Sequence, residues 1–308
     1  MSDRRASDRH SAAPPGAAEE LTAALEAASG KRCRISWNDP MEPEEVKAAL
    51  DRLLTTRRPD RGLEVLVRSG VMEAILPEVS ALVGFGEGVR HKDVWEHTKK
   101  VVLRVPPRLD LRWAALVHDI GKVPTRRFEP DGQVTFIAHP EVGARMFDRI
   151  ARRLPFAEES RGRIRLLVAA HLRASAYGED WTDSAVRRFA RDLGDAVEDL
   201  FDLSRADITS KHAEKVRRGI RVIERLAERL GEVREADARV APLPKGLGTA
   251  IAKRAGMAPG PWLGRIMRAL EDAVEAGRLG PRESYEHYLS YIDGNPSLLG
   301  GAREEDGS

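Results

Sequence analysis

From Met41 onward apolar side chains return every three or four residues, and a chain patterned in that way can bury them only by coiling into amphipathic helices. Val46, Leu50, Leu53 and Leu54 recur at helical spacing, followed by Leu63, Val65, Leu66 and Val67, then by Val71, Ala74 and Ile75. The rhythm changes once. In RRFEPDGQVTFIAH, Asp131-Gly132 can turn the chain between Arg127-Phe128 and the alternating Val134 and Phe136, which predicts a small β-hairpin. His139-Pro140 then opens another helix, since proline suits a first helical turn, and Val142, Met146 and Ile150 form its buried stripe. Further helices are predicted over Arg161–His171, Ser184–Leu193, Asp195–Lys211, Lys215–Leu230, Trp262–Ala276 and Tyr285–Ile292. The fold class read from this pattern is all-α, with a small hairpin inserted in a helical core and helical segments on either side.

Composition matters here for what it excludes. With 308 residues the chain can bury a real core, and a formal charge of +2 is not that of a nonspecific duplex coat. The single cysteine, Cys33, can form neither an internal disulfide nor a thiolate cluster, which points to a reducing compartment and the cytoplasm. MSDRRASDRH lacks a signal-peptide core, and the longest apolar stretches, Trp113–Val117 and Leu166–Ala170, fall far short of the ~20 residues of a membrane span. A soluble protein with no membrane partner is expected, its oligomeric state open.

Five of the eight histidines, His91, His97, His118, His139 and His171, lie within one stretch. His97 shares a helix face with Val94, Val101 and Val105, so its imidazole points inward. His118-Asp119 ends the apolar run WAALVHDIGK, where Gly121 permits a turn that aims both side chains at one point. Asp207 follows Leu203 by four residues on a helix face, where an unpaired carboxylate would cost several kcal/mol and a cation would remove that cost. Nitrogen and carboxylate donors from separate helices suit Mn, Fe, Co, Ni or Zn, with Mg less at ease on nitrogen. The set His97, His118, Asp119 and Asp207 fits one ion; His139 and His171 can extend the site to a second. Each also has a plain alternative: His97 as a core histidine, His139 as an N-cap, His171 in core packing, Asp207 paired with Arg205, and His91 with Asp93 capping a helix start.

EHT at Glu96–Thr98, HDIGK at His118–Lys122 and RAD at Arg205–Asp207 resemble the ordered motifs of the HD-domain metal-dependent phosphohydrolases. RGLEVLVRSGVMEAILPE, HKDVWEHT, AHPEVGARM and LPKGLGTAIAKRAGMAPGPWLG are moreover similar to the carboxy-terminal part of bacterial CCA-adding tRNA nucleotidyltransferases and poly(A) polymerases, over about Met41 to Ile292. The Gly-Gly loop, Arg-Asp pair and Asp-x-Asp motif of that family's polymerase head do not occur in that order in this sequence, so nucleotide addition by this chain alone is not expected. The resemblance implies a helical neck over 41–90, an HD metal-binding domain over 91–237 and a helical tail over 238–301, a candidate for RNA binding; outside it, 1–40 is expected to be a disordered or weakly structured extension, with no apolar period up to about Ala18, and 302–308 a disordered end. Within the extension, EELTAALEAAS can form one short helix and Arg32–Trp37 a brief extended piece, while ARVAPLPKGLG at Ala238–Gly248 reads as a linker.

The implied chemistry is phosphoester hydrolysis assisted by one or two divalent ions, with His118 and Asp119 at its centre and Asp119 the bridge if two bind. Lys122 can meet a nonbridging oxygen, and Arg145 and Arg205 are candidate substrate-binding residues. The expected partner is a phosphorylated nucleotide or an RNA end such as a 2′,3′-cyclic phosphate, with tRNA a candidate; the alternative is a non-catalytic RNA-binding module partnered with a separate nucleotidyltransferase head. RRLPFAEESRGRIRLL and KHAEKVRRGIRVIERLAER could line a basic face, although such runs are more often salt-bridged helix surfaces.

Overall fold

A computed structural model of the chain describes residues 13–33, 35–38, 40–86, 93–178, 180–210, 212–238, 242–296 and 298. The expectations that concern His91, Lys211 and residues 1–12, 239–241 and 299–308 lie outside the described residues. The chain divides into a compact unit running to Val233 and a second beginning at Arg234.

The helix read in EELTAALEAAS is α1 (Ala17–Ser29), which begins two residues earlier, is capped at its end by Gly30 and buries Leu21, Ala24, Leu25 and Ala28. It packs against α3 (Pro59–Arg68) so closely that a Cβ on Gly62 would stand 2.6 Å from the Ala24 carbonyl oxygen. Small residues permit that approach, and the burial comes from close contact rather than from bulky side chains. The segment after α1 forms no strand among the described residues; Trp37 leans back on α1, its Nε1 donating to Thr22 Oγ1 at 3.2 Å. If α1 is part of the core, Leu21→Ala should destabilise the protein by about 2–4 kcal/mol, read as a lower denaturant midpoint at unchanged slope; a loosely attached extension would give no shift.

Between them runs α2 (Pro43–Leu54), started by a reciprocal capping box of Glu42 and Glu45. After α3 come the short α4 (Val71–Ile75) and α5 (Pro77–Ser80), then α6 (Val94–Arg104), whose first turn is capped by the Asp93 carboxylate accepting from the amides of Trp95 and Glu96. The next helix, α7 (Leu109–Val117), is buried from Leu111 through Val117. A helix enclosed on every side can carry a charge only if that charge is satisfied, and Arg112 donates to the carbonyls of Val105, Pro106 and Leu54 at 3.0, 3.3 and 3.2 Å. The end of this helix is therefore held deep in the protein.

A short α8 (Lys122–Thr125) leads to the hairpin of β1 (Arg127–Phe128) and β2 (Val134–Thr135), paired Arg127 to Thr135 and Phe128 to Val134. Its turn needs the glycine, since Gly132 has φ 79°. The chain then enters α9 (His139–Arg153), α10 (Glu158–Ala170), α11 (Asp183–Leu193), α12 (Val197–Asp207) and α13 (Ala213–Ala238). The predicted run from Asp195 to Lys211 ends instead at Asp207, where Ile208 turns to an extended conformation with ψ 90°. The predicted neck and metal-binding segments share one continuous core, from Leu50 and Leu63 to Val101, Trp113, Phe147 and Leu203.

The second unit contains α14 (Leu247–Ala255), α15 (Pro261–Glu275) and α16 (Tyr285–Gly294) around Leu247, Ile266, Leu270 and Tyr288. The predicted linker thus gives way to helix at Leu247, following Gly246 in the left-handed region at φ 87°. Trp262 belongs to this core, its Nε1 donating to the Ala258 carbonyl at 2.9 Å.

Candidate metal centre

Helix ends bring the predicted ligands together. His118 and His171 are the C-cap residues of α7 and α10, where carbonyls lose their helical partners. Each imidazole folds back, and its Nδ1 meets the carbonyl three residues earlier, Ala115 at 2.8 Å and Val168 at 2.7 Å. His139 opens α9 and does the same with Phe136 at 2.9 Å. A carbonyl only accepts, so in all three rings Nδ1 carries the proton and, in the neutral ring, Nε2 presents a lone pair. His97, on α6, is steadied by Thr209, whose Oγ1 lies 2.7 Å from Nδ1.

The Nε2 atoms meet in two pairs. His97 and His118 stand 3.3 Å apart, His139 and His171 3.2 Å. Two lone pairs cannot hydrogen-bond to each other, so each pair calls for a proton or a cation between them. Asp119 stands between the pairs. Its Oδ2 is 3.5 Å from His97 Nε2 and 3.2 Å from His118 Nε2, while its Oδ1 is 3.6 Å from His139 Nε2 and 3.9 Å from His171 Nε2. Asp207, the last residue of α12, completes the first group with Oδ1 2.8 Å from His97 and 3.5 Å from His118. Bonds of about 2.0–2.2 Å to a common ion place neighbouring donors roughly 3.0–3.5 Å apart, as His97, His118 and Asp119 Oδ2 stand here. Asp119 Oδ2 is buried and accepts no well-formed hydrogen bond. The donor set and its spacing fit a divalent ion.

Electrostatics give the metal-free centre a definite proton. Burial disfavours a charge on His118, but the carboxylates of Asp119 and Asp207 outweigh it and raise its pKa to about 10. Burial, reinforced by the charge on His118, holds His171 at about 4. His97 and His139 are lowered by burial. Burial opposes ionisation of Asp119 and Asp207 too, yet the facing His118, with Lys122 beside Asp119 and His97 beside Asp207, keeps both carboxyls well below their ordinary range. Near neutral pH one proton sits on His118. It must leave for Nε2 to coordinate, so ion binding at pH 8 should release about one proton, and affinity should rise about tenfold per pH unit below 10. Calorimetry in buffers of different ionisation enthalpy checks this; no proton release would mean that His118 is not a ligand.

Lys122, the first residue of α8, joins the centre with Nζ 3.0 Å from Asp119 Oδ2. Gly121 serves differently from the expectation. Its φ of −67° is open to any residue, and what requires glycine is contact with the start of α9. The Arg205 guanidinium is paired with Glu224 at 2.8 Å and with Asp202 at 3.2 Å. Arg145 is exposed on α9, and six residues at about 100° each carry it well round the helix from His139.

A groove of about 690 Å³ opens beside His139, lined by Lys122, Ile137, Leu172 and Arg173 among others. Thr209 and Arg173 are the residues that sequence reasoning missed. Thr209 lies just past the RAD motif, and Arg173 two residues after His171, so proximity in sequence was the available signal. The arginines of the suggested basic face are largely paired, Arg153 with Glu78, Arg163 with Asp199, Arg165 with Asp148 and Arg229 with Asp183.

Comparison with known proteins supplies a context for this geometry. A family model of the HD domain matches residues 92–211. Over 262 residues the chain is 36% identical to the CC-adding tRNA nucleotidyltransferase of Thermus thermophilus, covering 82% of this chain and 57% of that one. Over 263 residues it is 32% identical to the A-adding tRNA nucleotidyltransferase of Deinococcus radiodurans, covering 82% and 59% respectively. The chain thus spans less than two thirds of the length of these relatives. No helix among the described residues is long and apolar enough to cross a membrane.

Proposed function

The chain carries an HD domain in a stretch similar to bacterial tRNA nucleotidyltransferases, and from that premise we propose that it is a metal-dependent phosphohydrolase acting on nucleotide or RNA-end phosphoesters such as 2′,3′-cyclic phosphates. One observation carries the reading: the Asp119 carboxylate faces one histidine pair with each of its oxygens. His97, His118, Asp119 and Asp207 would hold one ion, and Asp119, His139 and His171 a second. A divalent ion bound there supplies Lewis acidity and lowers the pKa of solvent to make a nucleophile at neutral pH.

The protein's own residues do the rest. The histidine rings are fixed by their Nδ1 bonds, so Nε2 needs no reorientation on binding. Lys122, only 13% exposed in its side chain, brings a positive charge to the same opening and can meet a nonbridging phosphoryl oxygen once Asp119 is engaged. Lys122→Gln should lower kcat about 10- to 100-fold with metal content unchanged. Loss of metal instead would assign Lys122 to holding Asp119.

The decisive experiment is metal removal and return. Chelated protein should hydrolyse neither bis-p-nitrophenyl phosphate nor nucleoside 2′,3′-cyclic monophosphates, and Mn or Ni should restore turnover. Turnover indifferent to chelation would overturn the reading. The names of the relatives favour one alternative, a tRNA-binding module with a structural ion; tight tRNA binding without turnover at any metal loading would select it.

A further inference from the structure

The groove beside the second histidine pair mixes charged and apolar lining. Lys122, His139, Glu141 and Arg173 line it, and the Arg173 guanidinium is held by Asp192 at 3.0 Å. The rest of the lining is apolar, and its two largest aliphatic members are turned outward. Ile137 is 68% exposed and Leu172 42% exposed, although most large aliphatic side chains among the described residues are buried.

We propose that this groove seats a nucleobase, so that the phosphoester cleaved at the metal centre is a nucleoside phosphate whose base packs against Ile137 and Leu172. The inference rests on the reading of the centre as a phosphohydrolase. Its first support is position: Ile137 lies two residues before His139 and Leu172 directly follows His171. The apolar walls are therefore adjacent in sequence to two of the residues that would hold the second ion, and His139 itself lines the groove. The second is size, since about 690 Å³ lies in the range of about 300–1,000 Å³ typical of pockets for ligands of this kind.

The third is chemistry. A phosphorylated polyol would seek hydrogen-bonding side chains along the groove and leave two aliphatic walls wet. A flat heteroaromatic ring covers them instead, and the small Ala138 and Ala169 leave room for it. Phe136, also in the lining, adds an aromatic surface, with Lys122 Nζ 5.6 Å from its ring centre. Exposed aliphatic side chains grouped around a cleft next to a polar centre are the usual mark of a binding surface.

The test pairs two substrates of the same reacting group. Metal-loaded wild type, Ile137→Ser and Leu172→Ser would be assayed on adenosine 2′,3′-cyclic monophosphate and on glycerol 1,2-cyclic phosphate, which lacks a base. Calorimetric binding of adenosine 3′-monophosphate would be measured alongside. The expected result is a KM for the nucleotide raised about tenfold in each variant, with weaker nucleotide binding in parallel and unchanged kcat/KM for the base-free diester. Equal losses on both substrates, or nucleotide kinetics and binding indifferent to both substitutions, would overturn the groove while leaving the hydrolase reading intact. No turnover of either diester, with nucleotide binding still weakened by the substitutions, would overturn the hydrolase reading and leave the base site standing.

Discussion

Asp119→Ala should reduce phosphoester hydrolysis by ~10³-fold or more, equivalent to about 4 kcal/mol of barrier, and should empty the centre of both ions rather than one. The reason lies in its two oxygens, one facing His97 and His118 and the other facing His139 and His171. Elemental analysis separates this from simpler losses. Asp207→Ala removes a donor from the first group only, and His171→Ala from the second only, so each should leave an ion behind. Asp119→Asn keeps the shape but gives up the charge that draws two cations together, and it should behave nearly as the alanine variant does. Circular dichroism would confirm that the variants fold. A variant at position 119 that retained both ions and its rate would refute the bridging role.

That these histidines and aspartates gather in one place was legible in the sequence for a physical reason. Histidine and aspartate at buried positions are costly enough that their order along the chain already signals a shared partner. Their orientation was not legible, because what holds the rings is mostly the carbonyl groups of Ala115, Phe136 and Val168, and a carbonyl carries no residue identity. The groove escaped for a related reason: the turn after the hairpin and the end of α10 form it together, with Ala138 at φ 60° aiming the chain into α9.

The same distinction runs through the fold. Stripes of large side chains, such as Val142, Met146 and Ile150, declare a buried helix face, and α9 lies where they place it. α1 buries alanines beside its two leucines, and the closeness that makes it stable is a property of Gly62 on another helix, not of its own pattern. α12 has no glycine or proline to stop it after Asp207, yet it stops there, and the chain turns so that Thr209 reaches His97. A tertiary bond to the buried His97 accompanies a helix end that local propensity leaves unmarked.

Gly121→Ala should be among the most destabilising single substitutions in the chain, at about 3 kcal/mol or more. An added Cβ would lie 2.0 Å from the His139 carbonyl oxygen and 2.6 Å from the Gly143 backbone nitrogen. Both are backbone atoms of α9 and neither can swing aside, so relief requires the helix to move away from the turn that bears His118 and Asp119. The variant should lose denaturant midpoint at unchanged slope and, in whatever folds, lose the ion that His139 would share. Gly231→Ala in α13 is the control, for nothing stands within 4 Å of the added carbon and a helical glycine gains about 1 kcal/mol on such a change. Should Gly121→Ala fail to fold, His139→Ala still tests the site, because it removes the ligand and leaves the backbone contact alone. A Gly121→Ala protein as stable as its parent, with both ions bound, would mean that α9 does not rest on the His118-Asp119 turn.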